Sequence, residues 1–192
     1  ADHVHDVELR HLFESFAHRY QSLATTTAAF VDPLRAQLSK HACPTVRLHG
    51  DYKLENLILD PKTLDIQGVI DWEHSRHASF PLIDILYLIV YNRIMVEKRD
   101  FLSIYLDTIL PRRFTIDEHR LVDTFCQQAR LNEPLRDALI RLFFLHHAAC
   151  RYRFNLDNID SRSRIDICLA EIQSFLASTL QKNKSHDAIE SQ

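Results

Sequence analysis

The sequence predicts an α+β fold that is predominantly helical, with a few short strands carrying its polar loops. Three observations predict it. Apolar residues recur at helical spacing over most of the chain. Glycine occurs only twice in 192 residues, at Gly50 and Gly68, a scarcity that fits helices better than a turn-rich sheet. Between residues 45 and 70 the helical pattern gives way to short apolar runs separated by turn residues.

The elements follow in chain order. Leu9, Leu12, Phe13, Phe16 and Tyr20 form a first helical stripe. Phe30, Leu34 and Leu38 form a second, with Pro33 in its first turn or kinking it. Cys43-Pro44 ends that region, because proline cannot continue a helix and biases its predecessor to extended backbone. Thr45–Leu48 reads as a strand delivering His49. Asn56–Leu59 and Ile66–Ile70 read as two more, joined by the turn Asp60-Pro61-Lys62-Thr63.

After Pro81 the helical spacing returns. Ile85, Leu88 and Ile89 mark a buried helix, and Phe101, Leu102, Tyr105, Leu106 and Ile109 mark the next. Leu121, Val122, Phe125 and Ala129 mark another, with Asp117 and Glu118 at its start, where the helix dipole favours acids. Asn132 and Pro134 open a helix through Leu135, Leu139, Leu142 and Phe143. Ile165, Leu169, Ile172, Leu176 and Leu180 form the last stripe. The expected organisation is one unit over 1–180, comprising a helical start (1–44), a motif-bearing segment (45–73) and a helical subdomain (80–180). A polar, frayed tail over 181–192 completes it.

Composition narrows the function classes. Hydrophobic residues make up 46% and charged residues 26%, a globular balance with ample core material. A net charge of −3 gives no basic footprint for nucleic acid. The cysteines at 43, 126, 150 and 168 form no C-x-x-C or zinc spacing, so free thiols in a reducing compartment are expected. The N-terminal residues show no basic region followed by an apolar stretch, and Phe80–Tyr91 is interrupted by Asp84 and too short for a membrane span. A soluble cytoplasmic protein without membrane or nucleic-acid partners is the expectation. A glycine-rich phosphate-cradling loop is excluded from the sequence by its two glycines.

The motif with most chemical content is His49-Gly50-Asp51-Tyr52-Lys53-Leu54-Glu55-Asn56, followed by Ile70-Asp71-Trp72-Glu73. Phosphoryl transfer asks a protein for in-line positioning, neutralisation of phosphate charge and a carboxylate to orient the attacking hydroxyl. Magnesium takes oxygen ligands and keeps water and phosphate oxygens in its shell. Asp51 suits the carboxylate role, while Asn56 and Asp71 supply an amide and a carboxylate for metal.

These residues resemble the aminoglycoside phosphotransferase and choline kinase family, small-molecule kinases with a protein-kinase-like fold. The resemblance covers the C-terminal lobe. It implies an ATP- and magnesium-dependent transfer to a small-molecule hydroxyl, with Asp51 as catalytic base and Asn56 and Asp71 as metal ligands. His49 is then a structural residue of the catalytic loop, and Asp84 braces that loop or caps its own helix. Lys53 stands where protein kinases place a phosphate-contacting lysine, and Ile58 and Ile70 would floor the adenine. The family's N-terminal ATP-clamping lobe is not visible in the 48 residues before His49, so it is expected to be missing or supplied elsewhere. Where many members carry glycine after the metal aspartate, this chain has His74-Ser75-Arg76-His77-Ala78-Ser79.

Plainer roles compete with some of these. Trp72 reads as a core packing residue. The adjacent His146 and His147 point in different directions on a helix, which disfavours a joint metal site. His3 and His5 sit on a polar terminus, and Arg151, Arg153, Arg162 and Arg164 read as a solvated surface. Two other functions stay open at this point: a non-catalytic, kinase-derived binding or scaffolding module, and a nucleotidyl transferase on a kinase-like frame.

Overall fold

The computed structural model describes residues 43–149 throughout and the helical backbone at 150. It also describes Arg10, Leu12, Glu14, Leu38, Lys40 and His41, and Ser163, Asp166, Ile167 and Ala170. The described region is mostly helical with a few short antiparallel strands. The positions at 10, 12, 14, 38, 40, 163, 166, 167 and 170 are helical, and Leu12 and Leu38 are buried. The remainder of the two expected N-terminal helices, the final stripe and the 181–192 tail lie outside the described residues.

Four strands form two ribbons. β1 (Val46–Leu48) pairs antiparallel with β4 (Arg76–Ser79), and β2 (Leu57–Leu59) pairs antiparallel with β3 (Ile66–Val69). Three strands fall where the sequence places them, each slightly trimmed. Asn56 closes a 3₁₀ turn, Leu54–Asn56, instead of opening β2. β4 was not expected, because Arg76-His77-Ala78-Ser79 has no apolar alternation. Only its last residue, Ser79, is buried, so pairing with β1 rather than a core face makes it a strand. The β2–β3 turn is held by Asp60, whose carboxylate accepts the amides of Lys62 and Thr63 at 2.8 and 2.9 Å.

Four helices follow. α1 (Ile83–Glu97) contacts α2, α3, α4 and the 3₁₀ turn, which makes it the axis of the subdomain. The sequence points to Ile85, Leu88 and Ile89 as its buried face. The structure instead buries Ile83, Leu86, Tyr87, Ile89 and Val90, with Ile85 and Leu88 half-buried. A helix that is apolar on nearly every side offers no single stripe from which to choose a face.

α2 (Phe101–Ile104) is capped by Asp100, which accepts the Ser103 amide, and then widens into a π-turn over Tyr105–Ile109. α3 (Ile116–Gln128) opens on a capping box. Thr115 Oγ1 accepts the Glu118 amide at 3.3 Å, and the Glu118 carboxylate accepts the Thr115 amide at 2.7 Å. Of its apolar stripe, Leu121 lies at the surface, while Val122 is buried together with Cys126. α4 (Glu133–Cys150) is started by Asn132, whose side chain accepts the Leu135 amide at 3.0 Å.

The core lies between α1, α2 and α4. Tyr87 meets the Phe143 ring edge-on at 4.9 Å. His146 and His147 are both buried there and belong to the packing. His146 Nδ1 bonds the Tyr87 hydroxyl at 3.1 Å, and the His147 ring stacks on Phe101 at 3.5 Å. Among the described residues, no helix is long and apolar enough to cross a membrane.

α3 is tied to α1 by Arg93, which donates to both Glu118 oxygens at 2.8 and 2.6 Å and to Glu97 at 2.8 Å. Burial alone would raise the Glu118 carboxyl, but the Arg93 and Thr115 hydrogen bonds hold it below its ordinary 4.5. A depressed carboxylate contributes stability that is complete above the unfolded value and is lost as pH falls through the folded one. Glu118→Gln is therefore expected to cost about 1 kcal/mol near neutrality through the cap and ion pair. The difference from the parent should shrink in urea unfolding below about pH 4. A gap that widens on acidification would contradict this assignment.

Candidate active site

The polar loop begins where β1 delivers Leu48, buried to 1%, into the core. His49 and Gly50 follow, and their two amides donate to one carboxylate. His49 N–H meets Asp84 Oδ2 at 2.7 Å and Gly50 N–H meets Asp84 Oδ1 at 2.9 Å. Asp84 lies in the first turn of α1, whose N-cap position is Leu82. Between capping its own helix and holding the loop, the side chain holds the loop, across 34 to 35 residues of chain.

Gly50 has φ +81°, and a Cβ there would stand 2.5 Å from the His74 carbonyl oxygen. Both the backbone conformation and the space require glycine. His74, the first residue of the run His74–Ser79, thus supplies the wall against which Gly50 packs.

His49 is buried and fixed by both ring nitrogens. Asp51 N–H donates to Nδ1 at 3.2 Å, so the ring proton sits on Nε2 and donates to the Ile70 carbonyl at 2.8 Å. The histidine links the loop to the strand end ahead of Asp71. Trp72 covers it edge-on at 4.7 Å, donates its indole N–H to Val69 at 2.8 Å, and carries the Arg47 guanidinium over its own ring at 4.7 Å. Trp72 is 41% exposed, which corrects its expected place in the core. Its polar edge is satisfied locally, so the ring lies as a partly exposed cover on His49. Tyr52 also meets the imidazole edge-on, with ring centroids 5.9 Å apart. Burial, and then the Asp84 charge, push its phenol above its usual range.

Asp51 is 4% exposed and lies against two partners on its own loop. Asn56 Nδ2 donates to the Asp51 carbonyl at 2.9 Å and to Oδ2 at 3.3 Å. Lys53 Nζ stands 3.2 Å from Oδ2, 3.6 Å from Glu55, and over the Tyr91 ring at 5.7 Å. Asn56 also joins the second half of the motif, its carbonyl accepting the Ile70 amide at 3.0 Å. With the Asn56 amide hydrogens directed at Asp51, its side-chain oxygen is left for another ligand.

Asp71 follows Ile70 in left-handed backbone (φ 65°, ψ 58°), which aspartate tolerates better than bulky residues do. Its carboxylate is exposed and caps no helix.

The structure thus gathers His49, Asp51, Lys53, Asn56 and Asp84 into one bonded network. It brings Asp71 to the network's edge through Ile70. Ile58 and Ile70 are 49% and 48% exposed, on the β2–β3 ribbon and at its end, and neither lines either cavity described below. Among the described residues, no three His, Cys, Asp or Glu side chains are gathered into a metal cage. An amide oxygen and one carboxylate are nonetheless the oxygen donors that magnesium takes when phosphate and water complete its shell. The donor set fits that ion.

The sequence reading missed Arg47, Tyr91 and the Gly50–His74 contact. Tyr91 sits seven residues after Asp84, two turns along α1, so helical spacing points to it. The other two are long-range contacts without a local signal.

Two cavities flank the loop. One, of about 210 Å³, is lined by His49, Tyr52 and Asp84 together with apolar residues including Phe80 and Phe125, and Asp51 does not reach it. The other, of about 220 Å³, lies between Leu54 and helices α1 and α3.

Comparison with known proteins supplies a family and one curated relative. The sequence pattern of the phosphotransferase enzyme family matches residues 2–122. The mouse protein described as acyl-CoA dehydrogenase family member 11 is 31% identical over 77 residues, which is 38% of this chain. The chain spans only a tenth of that relative's length. No solved structure matches.

Gly50→Ala is expected to destabilise the fold by at least about 2 kcal/mol, from left-handed strain and the His74 clash together, read as a lowered urea midpoint. A midpoint unchanged within error would show that the loop does not need this geometry. Asp84→Ala removes the acceptor of two amides and should cost about 2–3 kcal/mol. In amide hydrogen exchange, the amides of His49 and Gly50 should lose protection first.

Proposed function

The chain belongs to the phosphotransferase enzyme family, and from that premise we propose that it carries the catalytic, acceptor-side lobe of a small-molecule kinase. The reading is a protein-kinase-like C-lobe that transfers the terminal phosphoryl group of ATP to a hydroxyl of a small molecule. One observation supports it above the others. Asp51 is a buried carboxylate on a loop fixed from two sides, by Asp84 through the amides and by His49 through the Ile70 carbonyl.

In this reading Asp51 orients the substrate hydroxyl and takes its proton as the oxygen–phosphorus bond forms and the bond from that phosphorus to the ADP oxygen breaks, releasing ADP. Lys53, beside it, turns from the carboxylate to the transferred phosphate. Asn56 and Asp71 would hold magnesium, which supplies charge neutralisation on the phosphates when bound. Ile58 and Ile70 offer an exposed apolar floor to adenine from the ribbon. Both glycines of the sequence are committed to Gly50 and to β3, so we place the phosphate-covering loop and ATP-clamping lysine on a further lobe or partner.

A second reading, a kinase-derived binding module without turnover, draws on the absence of a glycine-rich loop from the sequence and on the Asp51–Lys53 pairing. Magnesium-dependent phosphate transfer separates the two.

Asp51→Asn keeps the shape and removes the base. With magnesium-ATP and an accepted alcohol, phosphorus NMR of the product is expected to show transfer slowed about 10²–10⁴-fold. Undiminished transfer would remove Asp51 from that role. Asn56→Ala is expected to raise the magnesium concentration needed for half-maximal rate.

A further inference from the structure

The 220 Å³ cleft holds apolar residues that the core leaves out. Leu54 is 52% exposed and Leu121 is 36% exposed, and with Leu88 and Ile89 they face one space. Its polar lining is Asn92, Asp117 and Glu118. Glu118 is already neutralised by Arg93 and the Thr115 amide. Asp117 is almost fully exposed, with Arg120 at 3.6 Å as its ion-pair partner. The cleft therefore has aliphatic walls, one neutral amide, and two acids that are each paired with an arginine.

Neither Asp51 nor Lys53 lines the cleft, and its tie to the reacting carboxylate runs along the chain. Leu54 is three residues from Asp51, a chain reach of about 10 Å at most. Lys53 lies between them, bonded to Asp51 and resting over Tyr91, whose helix neighbour Asn92 lines the cleft.

We propose that this cleft is the acceptor subsite, and that it takes the aliphatic part of an uncharged alcohol whose hydroxyl reaches Asp51. The proposal rests on the phosphotransferase reading. It adds the class of acceptor, chosen by burial of carbon against Leu54, Leu88, Ile89 and Leu121. A polyhydroxylated acceptor would leave its oxygens against apolar walls without partners. A charged group of either sign carried between those walls would lose its water without gaining a partner.

The test separates binding from transfer. The chain, labelled in its Leu and Ile methyls, is titrated with n-hexanol, and with glucose and choline as polyhydroxyl and cationic probes. Hexanol is expected to shift the methyls of Leu54, Leu88, Ile89 and Leu121 at lower concentration than either other probe. Leu121→Asp, with Leu54→Asp as a second variant, should weaken it about tenfold. Unmoved core methyls such as those of Leu142 would show that each variant is folded. Hexanol shifts elsewhere, or tighter cleft binding of glucose or choline, would overturn the assigned class.

Phosphate transfer to n-hexanol is then measured with the full-length protein and magnesium-ATP. Cleft binding with no transfer to any alcohol overturns the phosphotransferase reading and with it the acceptor role. Transfer to glucose but not to hexanol overturns the cleft proposal alone.

Discussion

The Asp84 carboxylate is the constraint on which the polar half of this molecule depends. Its two oxygens accept the amides of His49 and Gly50, so a side chain from the start of the axial helix fixes the loop that leaves β1. Hydrogen bonds to a charged acceptor are worth more than neutral ones, about 1.5–3 kcal/mol each. Two on one carboxylate can hold a loop that has no strand partner. The arrangement sets the direction in which Asp51 emerges. It also explains why α1 is apolar on so many sides. The helix must be clamped by α2, α3 and α4 before its first turn can serve as an anchor.

A second tie runs through the imidazole. His49 accepts from Asp51 and donates to Ile70, which makes one ring the spacer between the carboxylate and the strand end bearing Asp71. Asn56 makes a parallel tie, donating to Asp51 and accepting from the Ile70 amide. The two halves of the motif are thus joined twice by groups that are short and buried. Trp72 closes the ring from outside, where its exposure would be odd for a core residue but suits a cover.

Much of this was legible in the sequence, for physical reasons that differ by element. The helix start at Asn132 carries local capping chemistry, the acids Asp117 and Glu118 mark the first turn of α3, and the turn at Asp60 carries its own acceptor, so short-range pattern was enough. The polar motif was legible because Asp51, Asn56 and Asp71 combine residue types that few structural roles demand together. β4 was not legible, since a strand defined by its partner leaves no periodicity in its own residues. The face of α1 differs from its expected one at Leu88, where an apolar residue lines an open cleft and not the core. That error is informative, because helical spacing registers hydrophobicity and is blind to what the side chain will meet.

The remaining tension lies in Asp51 itself. A carboxylate only 4% exposed would be costly to keep charged without compensation. Lys53 at 3.2 Å and the Asn56 amide supply that compensation within the same six-residue loop. The lysine is also poised over Tyr91, at the edge of the cleft, and its side chain is still partly solvated. In the proposed reaction, an arriving phosphate competes for the same ammonium. Drawing Lys53 toward phosphate would free the carboxylate oxygen that it now faces as a hydroxyl comes within reach. One ion pair would then stabilise the resting loop and, by exchanging partners, couple the base to the presence of the group it helps to transfer.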